Sequence, residues 1–263
     1  FVKGKGSLTT LKTKERRDRV LQKLMEERRV TIEGLAKELD VSTMTIRRDL
    51  RRLADDDVVT LVHGGAVYNE GSAYLPALSV RERQMRREKS AIAEYCARRI
   101  PEGSAVYLDN GSTTVEIADA LLGKQNIAVL SHSLPVLNIL SNAKNIQLIS
   151  IPGVYEPSAK GFFGDLAVRM IRQFRIDIAF FGVTAVSAED GVMSAVFYEQ
   201  ALKKALLERA RKKVLAIDHT KIGGTSFLKV CDLKDVDAIV TDHAADRAFL
   251  KEAARLGVET VQV

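Results

Sequence analysis

The stretch Val41 to Leu53, VSTMTIRRDLRRL, constrains the chain most, because its apolar and cationic residues fall on opposite sides of one short helix. Ser42 can cap the helix start, its side-chain oxygen taking a first-turn backbone N–H that would otherwise lack a partner. Ile46, Leu50 and Leu53 recur at helical spacing and define an inward face. At about 100° per residue, Met44, Arg48 and Arg51 lie opposite that face, with Thr45 and Arg52 on one flank and Arg47 on the other. Upstream, TIEGLAKEL from Thr31 to Leu39 reads as a second short helix with Ile32, Leu35, Ala36 and Leu39 inward, and Asp40-Val41-Ser42 has room only for a tight turn. The spacing predicts a helix-turn-helix whose second helix lies in a major groove. A run of arginines is more often a solvated face, so both readings stand at this point. The turn length and the placing of the cations opposite the apolar stripe favour DNA.

The position of the charge supports that reading. Of 40 Lys and Arg against 34 Asp and Glu, residues 1–90 hold 20 against 14 and residues 91–263 hold 20 against 20. The whole excess of +6 therefore travels with the helix-turn-helix, the footprint of a front end that meets phosphates and a back end that does not. Two cysteines, Cys96 and Cys231, are too few and too far apart for a disulfide framework or a zinc site, and no metal or cofactor is expected. No apolar run reaches membrane-spanning length and no secretory pattern opens the chain, so a cytoplasmic protein without membrane contact is expected. Residues 1–12 read as a flexible tail.

Glu15 to Glu27 adds a first helix, with Val20, Leu21, Leu24 and Met25 on one face. After the cationic helix, Asp55-Asp56-Asp57 breaks the pattern. Val58 to Val62 is β-branched enough for a strand, His63-Gly64-Gly65 supplies a turn, and Ala66 to Tyr68 can return as a second strand. A hairpin in that place is a wing. His63 is equally well a turn residue bonded only to its neighbours.

VSTMTIRRDLRRL followed by VHGGAV resembles the DeoR family of bacterial transcriptional regulators, whose signature is a serine-led helix containing TIRRDL and a wing reading HGGA. The resemblance implies an operator-binding surface, and the residues expected on it are Ser42, Thr43, Thr45, Arg47, Arg48, Arg51, His63, Gly64 and Gly65. Leu61 stands where the family commonly carries an arginine, which weakens the expected wing contact.

Asn69 to Pro76, NEGSAYLP, marks a boundary. Leu78 to Ile100 then reads as one long helix, charged in its first half and apolar in its second. It is either a plain docking helix or a lever between two domains. The expected division is a winged helix-turn-helix domain over 13–68, a linker and connecting helix over 69–90, and an effector domain over 91–263.

In the rear region, short apolar runs at Ala105 to Leu108, Ile127 to Leu130, Gln147 to Ile151, Ile178 to Val183, Val214 to Ile217, Ala238 to Val240 and Glu259 to Val263 alternate with helical patterns. That alternation predicts an α/β domain with a parallel sheet covered on both faces and ligands held beyond the carboxyl ends of the strands. The loop Leu108 to Thr114, LDNGSTT, ends a strand and opens a helix. Its Gly111, Ser112, Thr113 and Thr114 suit an anion such as phosphate at a helix N-terminus, and Asp109 suits sugar hydroxyls. An ordinary capped turn explains the same residues equally well. Lys221, in DHTKIGG after a later strand, can reach an anion as a point charge. Glu199 and Lys203, four apart, read by themselves as a surface ion pair. His132 and His219 lack a second ligand at metal spacing.

This region also resembles the DeoR-type sensor domain, similar in fold to ribose-5-phosphate isomerase, which senses phosphorylated sugars or polyols. The resemblance implies an effector site of Asp109, Gly111, Ser112, Thr113, Thr114, Gly153, Glu199, Lys203 and Lys221, and His132, in the loop after the second strand, is a further candidate. His132 stands where the family often has asparagine, Pro152 where it has a glycine, and Gly182-Val183-Thr184-Ala185 where it has a GADG-like turn. The missing Asp-Gly counts against isomerase activity, the enzymatic alternative for this domain. The expected protein is therefore no enzyme. It is a repressor of a carbohydrate or polyol catabolic operon, bound to double-stranded operator DNA as a homodimer or homotetramer and released by a phosphorylated sugar or polyol.

Overall fold

The computed structural model describes residues 13–55, 58–69, 75 and 78–263, in two compact units, 1–70 and 71–263. The tail expected over 1–12, Asp56 and Asp57 of the acidic break, and most of the boundary stretch 69–76 lie outside the described residues.

The first unit runs α1 (Thr13–Glu27), β1 (Arg29–Thr31), α2 (Ile32–Glu38), α3 (Thr43–Asp55), β2 (Val59–Val62) and β3 (Gly65–Tyr68). Thr31 caps α2 by accepting from the Gly34 N–H at 3.1 Å. The helix-turn-helix corner is made by Asp40 at φ 52°, and Val41 N–H closes back on the Ala36 carbonyl at 3.0 Å. Val20, Leu21, Leu24, Leu35, Ile46, Leu50 and Leu53 form its core. That fits the expected helical periodicities.

β1 was not expected. It is three residues long, too short to show alternation, and exists because β3 pairs with it, giving the order β1-β3-β2. The pairing makes Gly65 part of a strand instead of the turn. A Cβ there would lie 2.0 Å from the Val30 carbonyl oxygen, so only glycine lets the two strands close.

In the second unit, α4 (Leu78–Arg81) and α5 (Arg86–Arg98) replace the single helix expected over 78–100. The chain turns at 82–85, with Met85 at φ 48°. A side chain braces this turn: buried Lys89 donates from Nζ to the Gln84 carbonyl and to the Arg81 carbonyl, which also accepts from the Gln84 N–H, each Lys89 bond at 2.7 Å.

Then follow β4 (Ala105–Leu108), α6 (Ser112–Ala120), β5 (Ile127–Ser131), α7 (Leu134–Leu140), β6 (Ile146–Ser150), β7 (Val154–Glu156), β8 (Gly161–Phe163) and α8 (Asp165–Ile171). The chain ends through β9 (Ile176–Phe181), β10 (Ala185–Ser187), β11 (Gly191–Ser194), α9 (Phe197–Arg209), β12 (Ala210–Ala216), β13 (Leu228–Cys231), β14 (Ala238–Thr241), α10 (Arg247–Arg255) and β15 (Glu259–Gln262). Seven strands form one parallel sheet in the order β15-β14-β12-β9-β4-β5-β6. Each lies on one of the seven apolar runs read from the sequence. Alternation along β4 sends Tyr107 into the core under α8, α9 and α10, and Val106 and Leu108 into the core under α5, α6 and α7. The small antiparallel sheets β10-β11-β13 and β7-β8 carried no comparable signal.

The strand order fixes where a ligand can sit. The chain leaves β4 towards β5 and β6, then returns to lay β9 on the other side of β4. The loops after β4 and β9 diverge, opening a crevice beyond their carboxyl ends.

Candidate functional site

In the first unit α3 is amphipathic as its sequence requires. Ser42 accepts from the Thr45 N–H at 3.2 Å, and their hydroxyls lie 2.9 Å apart. Thr43, Met44, Arg47, Arg48, Arg51 and Arg52 are exposed, and Thr45 is half-buried. Asp49 points the other way. It is fully buried and held by Arg16 Nε at 2.6 Å and Arg17 Nε at 3.1 Å, which ties α3 to α1. Asp49 shares the i, i+3, i+4, i+7 stripe with Ile46, Leu50 and Leu53, so periodicity places it inward, but nothing in the helix's sequence names Arg16 and Arg17 as its partners. His63 and Gly64 stand exposed at the hairpin tip, Gly64 at φ 74°, while Gly65 is buried against β1.

In the second unit, Asn110 to Thr113 after β4, Gly182 to Thr184 after β9 and Ala216 to Asp218 at the end of β12 line one pocket in the crevice, with Glu199, Lys203, Lys221, Leu75 and Arg81. Six of the ten residues expected to hold an effector are on its wall: Gly111, Ser112, Thr113, Glu199, Lys203 and Lys221. Asp109 lies behind, hydrogen-bonded to Lys203. The other three are placed differently. Thr114 donates to the carbonyls of Asp109 and Gly111 at 2.6 and 2.8 Å and shapes the loop from inside. Gly153 packs on β8, where a Cβ would meet the Phe163 carbonyl oxygen at 2.5 Å. His132 is buried between Tyr107 and Phe163.

The N-terminus of α6 opens on this pocket with Gly111 as its cap residue and no side chain capping it. Its first-turn amides present partial positive charge to whatever enters. Three cations share the wall. Burial pulls the Arg81 guanidinium and the Lys221 ammonium below their ordinary values, opposed by Glu199 and Asp218 respectively. Burial acts on Lys203 in the same sense, but Asp109 and Glu199 reverse it and hold that ammonium raised. Lys203 lies 3.6 Å from Glu199 Oε2 and donates to the Gly182 carbonyl at 3.0 Å. Glu199 is 6% and Lys203 2% exposed, so this is no surface pair. Asp218 caps the short turn carrying Lys221 by accepting from the Thr220 N–H at 3.1 Å.

Burial lowers the His132 imidazole to about 4, so it is neutral near pH 7. Its Nδ1 lies 2.6 Å from the Tyr107 hydroxyl, and its Nε2 faces Asp109 Oδ1 at 3.7 Å. Arg81 and Asn110 are pocket residues that sequence reasoning missed: Arg81 is one cation in a charge-dense segment, and Asn110 sat unremarked in LDNGSTT. Among the described residues no His, Cys, Asp and Glu cluster could hold a metal ion. Burial raises both free thiols, Cys96 and Cys231, to about 12. No helix among the described residues is long and apolar enough to cross a membrane.

Residues 84–243 match the DeoR C-terminal sensor domain and residues 16–72 the DeoR-like helix-turn-helix domain. The chain belongs to the DeoR family. Similar relatives include the transcriptional repressor CsqR of Escherichia coli K12, 32% identical over 92% of this chain and 93% of that protein. The glycerol-3-phosphate regulon repressor of the same strain is 29% identical over 88% of this chain and 92% of its own. The repressor GlcR of Bacillus subtilis 168 is 29% identical over 93% of this chain and 94% of its own. These relatives are named as repressors, not as enzymes, and this DeoR-family member is a DNA-binding transcriptional repressor with a C-terminal sensor domain. Among solved structures, ribose 5-phosphate isomerase A of Methanocaldococcus jannaschii matches 51% of this chain and 53% of its own at 16% identity and a TM-score of 0.38.

Proposed function

We propose that this repressor controls a carbohydrate or polyol catabolic operon and releases its operator when a phosphorylated sugar or polyol enters the sensor pocket. The observation that carries the reading is the uncapped N-terminus of α6 opening on the switch-point crevice beside Arg81, Lys203 and Lys221. Amides, dipole and cations converge there on one anionic group. Glu199, Asp218 and Asn110 on the same wall are acceptors suited to hydroxyls. The name of the glycerol-3-phosphate regulon repressor agrees with a phosphorylated polyol as the kind of signal involved.

In this reading the exposed face of α3 enters the major groove with Thr43, Thr45, Arg47, Arg48 and Arg51, Ser42 sets the helix start, and the His63-Gly64 tip meets the backbone beside it. One such head covers one half-site, so the operator-bound form is a homodimer or homotetramer. Effector and operator oppose each other because the effector binds the DNA-incompetent arrangement better. The test is operator affinity for DNA upstream of the repressor's own gene, titrated at fixed salt with phosphorylated sugars and their unphosphorylated counterparts. Phosphorylated compounds alone should weaken binding. An affinity indifferent to all of them rules the sensing role out.

A further inference from the structure

Arg81 and Leu75 reach the pocket from the segment between the end of the first unit at residue 70 and the start of α5. Among the described residues, every other one lining the pocket comes from the end of β12, from the loops after β4, β9 and β12, or from α6 and α9. The segment is fastened there a second time. Lys89, 3% exposed, donates to the carbonyls of Arg81 and Gln84 at 2.7 Å each, and its Nζ lies 3.8 Å from Asp218 Oδ2 on the pocket wall. Beside its backbone hydrogen bonds, the turn at 82–85 is thus tied down by one buried ammonium, and Arg81, the residue before it, faces the site. Asn110 is a further sign that a ligand completes the wall. Its Nδ2 is spent on the Ala159 carbonyl at 2.8 Å, and its buried Oδ1 has no hydrogen-bond partner among the described residues.

We propose that Arg81 is a direct ligand of the effector's anionic group, and that the 82–85 turn clamped by Lys89 is the element through which pocket occupancy reaches the chain leading to the DNA-binding unit. The proposal rests on the pocket reading above. Lys203 is held within the sheet's own framework by Asp109, Glu199 and the Gly182 carbonyl, so an anion it meets is tied only to that framework. Arg81 differs because it sits on the tether. A charge-assisted bond from an anion on α6 to Arg81 exists only while α4 is docked, which gives the ligand the unequal affinity for two states that any switch requires.

The test uses the full chain, inorganic phosphate as probe against chloride at equal ionic strength, and backbone hydrogen exchange resolved along the sequence. In the unsubstituted protein phosphate should slow exchange at both 112–115 and 82–89. Arg81→Gln should weaken phosphate binding about ten- to a hundred-fold. At saturating phosphate it should keep the protection at 112–115 and lose that at 82–89. Arg81→Lys, which keeps the charge, should recover part of the affinity and show that the Gln variant is not simply misfolded. Protection at 112–115 without any at 82–89 in the unsubstituted protein, or an Arg81→Gln variant that binds phosphate unchanged, overturns the proposal while leaving the pocket reading intact. No protection at 112–115 overturns both.

Discussion

Lys203 donates a hydrogen bond to Asp109 across 94 positions of sequence, and both side chains are 2% exposed. The pair joins the end of β4 to α9 at the floor of the sensor pocket, with Glu199 completing the cluster at 3.6 Å. Two charges this deep survive only together, because each without the other would stand in a low-dielectric site uncompensated.

Lys203→Met should therefore cost the sensor unit about 3–5 kcal/mol, since it strands the Asp109 carboxylate. The double change Lys203→Met with Asp109→Asn should recover part of that loss, because Asp109 no longer carries a stranded charge, while Glu199 loses Lys203 but keeps the hydrogen bond from Ser194 at 3.0 Å. Urea unfolding of the four proteins of this cycle checks it. A single substitution that costs less than the double one contradicts the pairing.

His132 makes stability fall with acid. Burial lowers its folded value to about 4 from an ordinary 6.5, so between those values the unfolded chain takes up a proton that the folded chain refuses. Its contribution is complete above 6.5 and is lost as pH falls towards 4, about 3 kcal/mol in all. His132→Asn, whose side-chain oxygen can still accept from Tyr107, should flatten this part of the profile. Unfolding midpoints measured over the same range give the comparison, and an unchanged slope in the variant refutes the assignment.

The two glycines of the hairpin should respond differently. Gly65→Ala places a Cβ 2.0 Å from the Val30 carbonyl oxygen, and the expected cost is about 2 kcal/mol or more with loss of the β1-β3 pairing. Gly64→Ala meets no neighbour within 4 Å and bears only the strain of φ 74°, about 1 kcal/mol. Thermal melting of the full chain distinguishes them. Equal effects would mean that conformation, not close approach, decides both positions.

Much of this was legible in the sequence where physics is local. Each strand of the large sheet is a short apolar run, since both faces are covered, and α3 shows its buried stripe in Ile46, Leu50 and Leu53. What was hidden depends on distant partners. β1 exists only through β3, and the sequence of α3 does not reveal that Asp49, on its inward stripe, is met there by Arg16 and Arg17. The break at 82–85 is held by Lys89, which in sequence is one more charge in a charged helix. Glu199 and Lys203 illustrate the same limit, for an i, i+4 pair reads alike on a surface and in a core. Arg81 reaches the pocket through the path of the chain, which no spacing within RERQMRREK encodes.

The central claim is a division of labour between an operator-reading α3 and an anion-holding α6, and paired substitutions test it most directly. Operator affinity and phosphate-induced thermal stabilisation should be measured on Arg48→Ala and Thr113→Val in parallel. Arg48→Ala should abolish operator binding, leaving the stabilisation untouched; Thr113→Val should bind operator normally and lose the stabilisation. If each substitution damages both activities alike, the two residues serve folding alone and the account is wrong.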